Sequence, residues 1–205
     1  SSASANPGDI GLYLAYTVTV AALGDSPSAS VSLTGTNTGE GIGFLLANNA
    51  AVSTNAGDVI VSGQSANSHG AYLGVNAQVT STAGAISLTG STASPNTGHV
   101  GLLVEYTVTV AASGGATSAS VSLTGTNTGA GIGTYLLSNV QVTSVGGPIS
   151  IMGTSAGNQG VVLSESTTLV EATGAGAGAT VNVEGISTGV EQGLLVVSAK
   201  IQSNG

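Results

Sequence analysis

The chain has 205 residues, one cationic side chain (Lys200), nine carboxylates, two histidines and no cysteine, giving a formal net charge of −8 at pH 7. Without clustered Lys or Arg it cannot neutralise a nucleic-acid backbone or an anionic bilayer surface, and without Cys it forms no disulfide or thiolate metal site. Hydrophobic residues make up 41% and charged residues 5%, the reverse of a disordered composition, and no run of about 18 apolar residues offers a membrane insertion.

Residues 28–39 (SASVSLTGTNTG) return letter for letter at 118–129 and define a super-repeat of ninety residues, 10–99 and 100–189. Repetition on this scale points to a solenoid. Each unit divides into thirds, and each third carries three predicted strands. The first opens at Gly11, Gly43, Gly70, Gly101, Gly133, Gly160 and Gly193 and continues into an apolar run such as LYL, FLL or LLV. The second centres on Val18, Val52, Val79, Val108, Val142, Leu169 and Ile201. The third is the clearest: SVSLTG, DVIVSG, AISLTG, SVSLTG, PISIMG and TVNVEG alternate with period 2 and are expected to end at their glycine. Its inward columns read Val31, Val59, Ile86, Val121, Ile149, Val181 and Leu33, Val61, Leu88, Leu123, Ile151, Val183, with Ser32, Ile60, Ser87, Ser122, Ser150 and Asn182 facing out between them.

Three strands per turn of about 30 residues predict an all-β parallel β-helix of six to seven turns, one domain over 1–205. Residues 1–11 (SSASANPGDIG) align with residues 91–101 (STASPNTGHVG), so the chain is expected to start just after one third strand, stop before another, and belong to a longer array or fibre. The glycine-rich tracts, Gly174–Gly178 among them, are read as corners that need positive φ.

Two surface columns are candidate sites. Thr19, Ser53, Thr80, Thr109 and Thr143 are expected to stack as a hydroxyl ladder on the second strand, a possible ice or ligand face. On the first strand Leu12, Phe44, Leu102 and Leu14, Leu46, Leu73, Val104, Leu136 are expected inside. Tyr13, Leu45, Tyr72, Leu103 and Tyr135, followed by Val162 and Leu195, then form an exposed apolar stripe for lateral contact or a carbohydrate. His69 and His99 occupy similar places on neighbouring turns, but two histidines without a carboxylate make a poor zinc site. The calcium nonapeptide of β-rolls is absent, so no metal or other cofactor is expected. The carboxylates Asp9, Asp25, Glu40, Asp58, Glu105, Glu165, Glu171, Glu184 and Glu191 show no repeated pairing of the kind glycoside hydrolysis uses, so no catalytic residue is expected.

The segments VSTNAGDVIVSGQS (52–65) and VSLTGTNTGEGIGFLLAN (31–48) resemble the repeats of filamentous haemagglutinin-like proteins, the exported adhesins of two-partner secretion and autotransporter type. The resemblance implies a right-handed parallel β-helix at the surface of, or secreted by, a Gram-negative bacterium, working in adhesion, aggregation or matrix formation. It carries over no functional residues. The expected role is therefore a non-catalytic extracellular shaft whose partners are copies of itself, and host or matrix glycans. An ice-binding or carbohydrate-binding solenoid is the alternative, and a polysaccharide-active enzyme the more distant one.

Overall fold

The computed structural model describes residues 8–115, 118–174 and 178–204; residues 1–7 of the opening segment and the centre of the Gly174–Gly178 tract lie outside them. Twenty strands follow one another: β1 (Leu12–Leu14), β2 (Thr19–Ala22), β3 (Val31–Asn37), β4 (Phe44–Leu46), β5 (Ala51–Thr54), β6 (Val59–Ser65), β7 (Ala71–Leu73), β8 (Gln78–Ser81), β9 (Ile86–Thr92), β10 (Val100–Glu105), β11 (Thr109–Ala112), β12 (Val121–Asn127), β13 (Ile132–Leu137), β14 (Gln141–Val145), β15 (Ile149–Ser155), β16 (Val161–Ser164), β17 (Leu169–Thr173), β18 (Val181–Ser187), β19 (Leu194–Val197) and β20 (Lys200–Asn204). Every third strand is a hydrogen-bonded neighbour. The first sheet orders β1-β4-β7-β10-β13-β16-β19, the second β2-β5-β8-β11-β14-β17-β20, and the third β3-β6-β9-β12-β15-β18. All pairings within these sheets are parallel, so the chain is a β-solenoid with three faces.

The inward columns of the third sheet stack as the alternation predicts, Val31 to Val181 in one ladder and Leu33 to Val183 in the next. Facing them, the first sheet contributes Phe44, Leu46, Leu73, Leu102, Val104 and Leu136, and the second Val52, Val79, Val110, Val142 and Val170, all fully buried. The result is one continuous aliphatic core along the axis. A core side chain in this arrangement touches its own equivalents above and below as well as the two opposite sheets, which is why Val, Leu and Ile suffice with Phe44 as the one aromatic among the buried residues described.

Two expectations need correction. The third strands do not end at their glycines but run on for two residues, to Asn37, Ser65, Thr92, Asn127, Ser155 and Ser187. All but Ser187 are buried, under the loop that returns to the first sheet; Thr92 accepts from the Ser94 N–H there, and the other four hold loop carbonyls. Asn37 Nδ2 donates to Asp9 O at 2.9 Å and Asn127 Nδ2 to His99 O at 2.8 Å, while the Ser65 and Ser155 hydroxyls donate to Gly41 O and Gly131 O, each at 2.7 Å. A buried loop must satisfy its backbone, and this polar column does so.

The glycines are also not chiefly devices for positive φ. Among the described residues Gly146 is the only glycine with φ in that region, at 104°. Positive φ falls instead at the corner from the first sheet to the second, on the pairs Tyr16–Thr17, Asn48–Asn49, Val75–Asn76, Tyr106–Thr107 and Ser138–Asn139, with φ of 46–66°, and in the last two turns on the single residues Glu165 and Ser198. Asn tolerates the left-handed region best, and it fills four of the ten paired positions. The glycines answer a lack of room. A Cβ on Gly35, Gly63, Gly90, Gly125, Gly153 or Gly185 would stand less than 3.0 Å from the carbonyl oxygen of Gly43, Gly70, Gly101, Gly133, Gly160 or Gly193 respectively. In every turn the end of the third sheet crosses the start of the first with backbone against backbone.

Gly125→Ala should therefore cost about 3 kcal/mol or more by overpacking that no side chain can relieve, whereas Gly115→Ala, where an added Cβ meets nothing within 4 Å, should change stability by less than about 0.5 kcal/mol. Urea unfolding of the two variants checks the contrast. Thr168 supplies a second case: it sits at 0% exposure between Val140 and Ala199, and its hydroxyl is buried without a partner. Thr168→Val should raise stability by about 1 kcal/mol in the same measurement.

Candidate functional site

The hydroxyl ladder proposed for the second sheet is broken by the observed register. Thr19 and Thr109 stand in one column with Ala51, Gln78, Gln141, Leu169 and Lys200. Ser53, Thr80 and Thr143 stand in the neighbouring outward column with Ala21, Ala111, Glu171 and Gln202. The central ladder is correspondingly Val20, Val52, Val79, Val110, Val142, Val170 and Ile201, in place of Val18, Val108 and Leu169 at three of its positions. Leu169, one residue out of frame, stands in the outward column with Lys200; for Val18 and Val108 the cause is the run TVTVAA in the first and fourth turns. A slip of two residues leaves every side chain on the same face, so alternation alone does not detect it. The left-handed corner does: Thr17 N donates to Asn48 O and Thr107 N to Ser138 O, which fixes where each second strand starts.

The first-sheet stripe has the expected register, Tyr13, Leu45, Tyr72, Leu103, Tyr135, Val162 and Leu195 in one column. It is not a bare apolar stripe. Leu45, Leu103 and Val162 are 9%, 7% and 5% exposed, while Tyr13 is 42% exposed. The tyrosines alternate with these buried aliphatic positions. The Tyr72 ring lies across its own strand over Gly74, where an added Cβ would come within 2.7–2.9 Å of Cε2, Oη and Cζ. Its hydroxyl donates to Glu105 Oε1 on the next turn at 2.7 Å. Burial, reinforced by that carboxylate, holds the phenol proton well above its usual range.

His69 and His99 do meet, with ring centroids 5.3 Å apart and edge to face, and His69 lies 5.9 Å from the Tyr72 ring. The Nδ1 of His69 accepts from Val100 N–H at 3.1 Å, and the Nδ1 of His99 lies 2.7 Å from the Ser94 hydroxyl. With Nδ1 as an acceptor, neutral His69 carries its proton on Nε2 and offers no free lone pair to a metal. Among the described residues no group of three or more His, Asp or Glu side chains is placed to hold a metal ion. Burial, with the charge of His99 adding to it, lowers the His69 pKa from 6.5 to about 4.

The carboxylates are scattered. Glu105 accepts from Tyr72, Glu165 from Ser138 at 3.1 Å, Glu191 from Gln159 at 3.3 Å and Asp58 from Ala85 N–H at 2.8 Å; Glu171 accepts from Gln202. Among the described residues no hydrogen bond joins two carboxyl groups.

A groove of about 410 Å³ escaped the sequence reading. It follows the end of the third sheet over four turns, lined by the outward side chains of Thr36, Gln64, Ser91 and Thr126 and by the corner residues beyond them. The signal lay in the two residues after each glycine, Thr-Asn, Gln-Ser and Ser-Thr, which continue the alternation.

Protonating His69 would turn its Nδ1 from acceptor to donor against the Val100 N–H. Because the folded value is depressed, this histidine's contribution is fully present above its unfolded pKa near 6.5, is lost as pH falls towards 4, and changes no further below that. Between pH 7 and pH 4 the wild-type chain should lose about 3 kcal/mol more stability than a His69→Gln variant, read from urea midpoints at each pH. Neither a family model, a curated protein nor a solved structure matches this chain.

Proposed function

We propose that the chain forms part of a non-catalytic extracellular shaft, a stiff β-solenoid that holds or spaces an adhesive surface and associates with copies of itself. The observation that carries this reading is the unbroken register of all three sheets: seven, seven and six strands pair in parallel with no interruption. Bending such a rod means stretching a ladder on one face, and unwinding it at one turn exposes that turn's core residues together with both neighbours. A stack of this kind resists proteases and shear. The resemblance of residues 31–48 and 52–65 to filamentous haemagglutinin-like repeats supports a place at the bacterial cell surface.

Leu194, Val196 and Ile201 occupy inward columns and are 40%, 41% and 39% exposed, and among the described residues β18, β19 and β20 each pair along one edge only. A further turn, whether of the same chain or of a second copy, would complete that layer by parallel strand addition.

Purified chain should form concentration-dependent oligomers and, at high concentration, fibres whose meridional spacing is about 4.8 Å. Val196→Lys combined with Ile201→Lys should raise the concentration needed by at least about tenfold without altering the circular dichroism. Sedimentation and fibre diffraction read both. Monodisperse single chains at every concentration would overturn the self-association.

A further inference from the structure

All five tyrosines of the chain lie on one side of the rod. Tyr13, Tyr72 and Tyr135 point outward from the first sheet, and Tyr16 and Tyr106 occupy the corner that follows it, 75% and 50% exposed. In the outward column the rings recur on every second turn, at the first, third and fifth strands of the sheet, with Leu45 and Leu103 between them. Two strand spacings put successive rings about 9.6 Å apart along a straight line.

This spacing is not a by-product of the ninety-residue duplication. Copying would carry Tyr13 to position 103, Leu45 to position 135 and Tyr72 to position 162, where the chain has Leu103, Tyr135 and Val162. The inward neighbours follow the duplication, Leu14 with Val104 and Leu46 with Leu136, but the tyrosines stand on alternate turns over the first five strands, the sixth and seventh carrying Val162 and Leu195.

We infer that this edge binds an extended, uncharged, β-1,4-linked glycan lying parallel to the rod axis, with its sugar rings stacked on Tyr13, Tyr72 and Tyr135. The two-turn period matches the disaccharide repeat of such a chain, in which every second sugar presents the same face. The side chains also suit a sugar better than a protein surface. A protein-binding patch would leave large aliphatic groups open, whereas in this column Leu45, Leu103 and Val162 are buried, Tyr13 is exposed and Tyr72 and Tyr135 are half-buried, so the surface it offers is aromatic. Tyrosine offers an apolar face for sugar C–H groups and a hydroxyl for their oxygens. Glu105, already bonded to Tyr72, adds a carboxylate acceptor beside that platform. A net charge of −8 with one Lys and no Arg disfavours an anionic glycan. The inference deepens the adhesive half of the reading above and rests on it, but it does not need fibres: single rods would bind as well.

The chain has no Trp, so its tyrosine fluorescence reports this edge directly. Titration with cellohexaose and chitohexaose should change that emission saturably, and cellobiose or chitobiose, too short to bridge two rings, should bind at least tenfold more weakly. A Tyr72→Leu and Tyr135→Leu double variant should lose hexasaccharide binding by at least tenfold, and a Tyr72→Phe and Tyr135→Phe variant should stay within about threefold of wild type. Should the leucine variant fail to fold, the tyrosine ring resonances of the unaltered chain serve instead: shifts confined to Tyr13, Tyr72 and Tyr135 on adding hexasaccharide support the site. No response to either hexasaccharide, tighter binding of heparin or alginate, or undiminished binding by a folded leucine variant would each overturn it. Glycan binding is read on unassembled chains, so its failure is distinct from a failure to form fibres.

Discussion

The fold depends on the crossing of two glycine columns. Gly35, Gly63, Gly90, Gly125, Gly153 and Gly185 at the end of the third sheet meet Gly43, Gly70, Gly101, Gly133, Gly160 and Gly193 at the opening of the first, with no space for a Cβ on the former. That contact sets the separation of two of the three faces, and so the volume that Val, Leu and Ile must fill. It also leaves the last two residues of each third strand outside the apolar core. Polar Asn, Ser and Thr can therefore be buried there without disturbing it, because the returning loop supplies carbonyls for them to bind.

What the sequence showed and hid follows from the same geometry. The third sheet was legible in full register because each strand carries an apolar pair and a glycine at fixed offsets, and a slip of one residue would have turned Leu123 or Ile151 out to water. The first sheet was legible for the same reason, with Gly43 or Gly133 as its marker. The second sheet has no such marker. In the turns that read TVTVAA its frame is set by the left-handed pairs Tyr16–Thr17 and Tyr106–Thr107, residues that give no hint in sequence of positive φ. The hydroxyl ladder was misjudged for that reason. The role of the glycines was misassigned because sequence does not reveal which backbones approach one another.

The candidate surfaces were less legible than the core. The tyrosine column was found by register, but the burial of Leu45 and Leu103 within it is not something strand alternation reveals. His69 and His99 were placed on adjacent turns correctly. The His69 tautomer, with Nδ1 accepting, comes from the Val100 N–H, and no spacing rule supplies it.

The ninety-residue duplication serves as an internal comparison between positions under the same packing constraint. Inward positions keep their character across it: Val31 with Val121, Leu33 with Leu123, Val59 with Ile149, Val61 with Ile151, Leu73 with Leu163. Phe44 with Thr134 is an exception, and there the buried hydroxyl finds a partner in Met152 O at 2.6 Å. Outward positions exchange chemistry freely, Ile60 with Ser150, Ser62 with Met152, Tyr13 with Leu103. The backbone ladders and the aliphatic core fix each turn, so outward positions such as Ile60 and Ser62 can change with little packing penalty. The tyrosines on the first, third and fifth turns depart from the period of the duplication. A ligand with a two-turn repeat is a cause that would favour that departure.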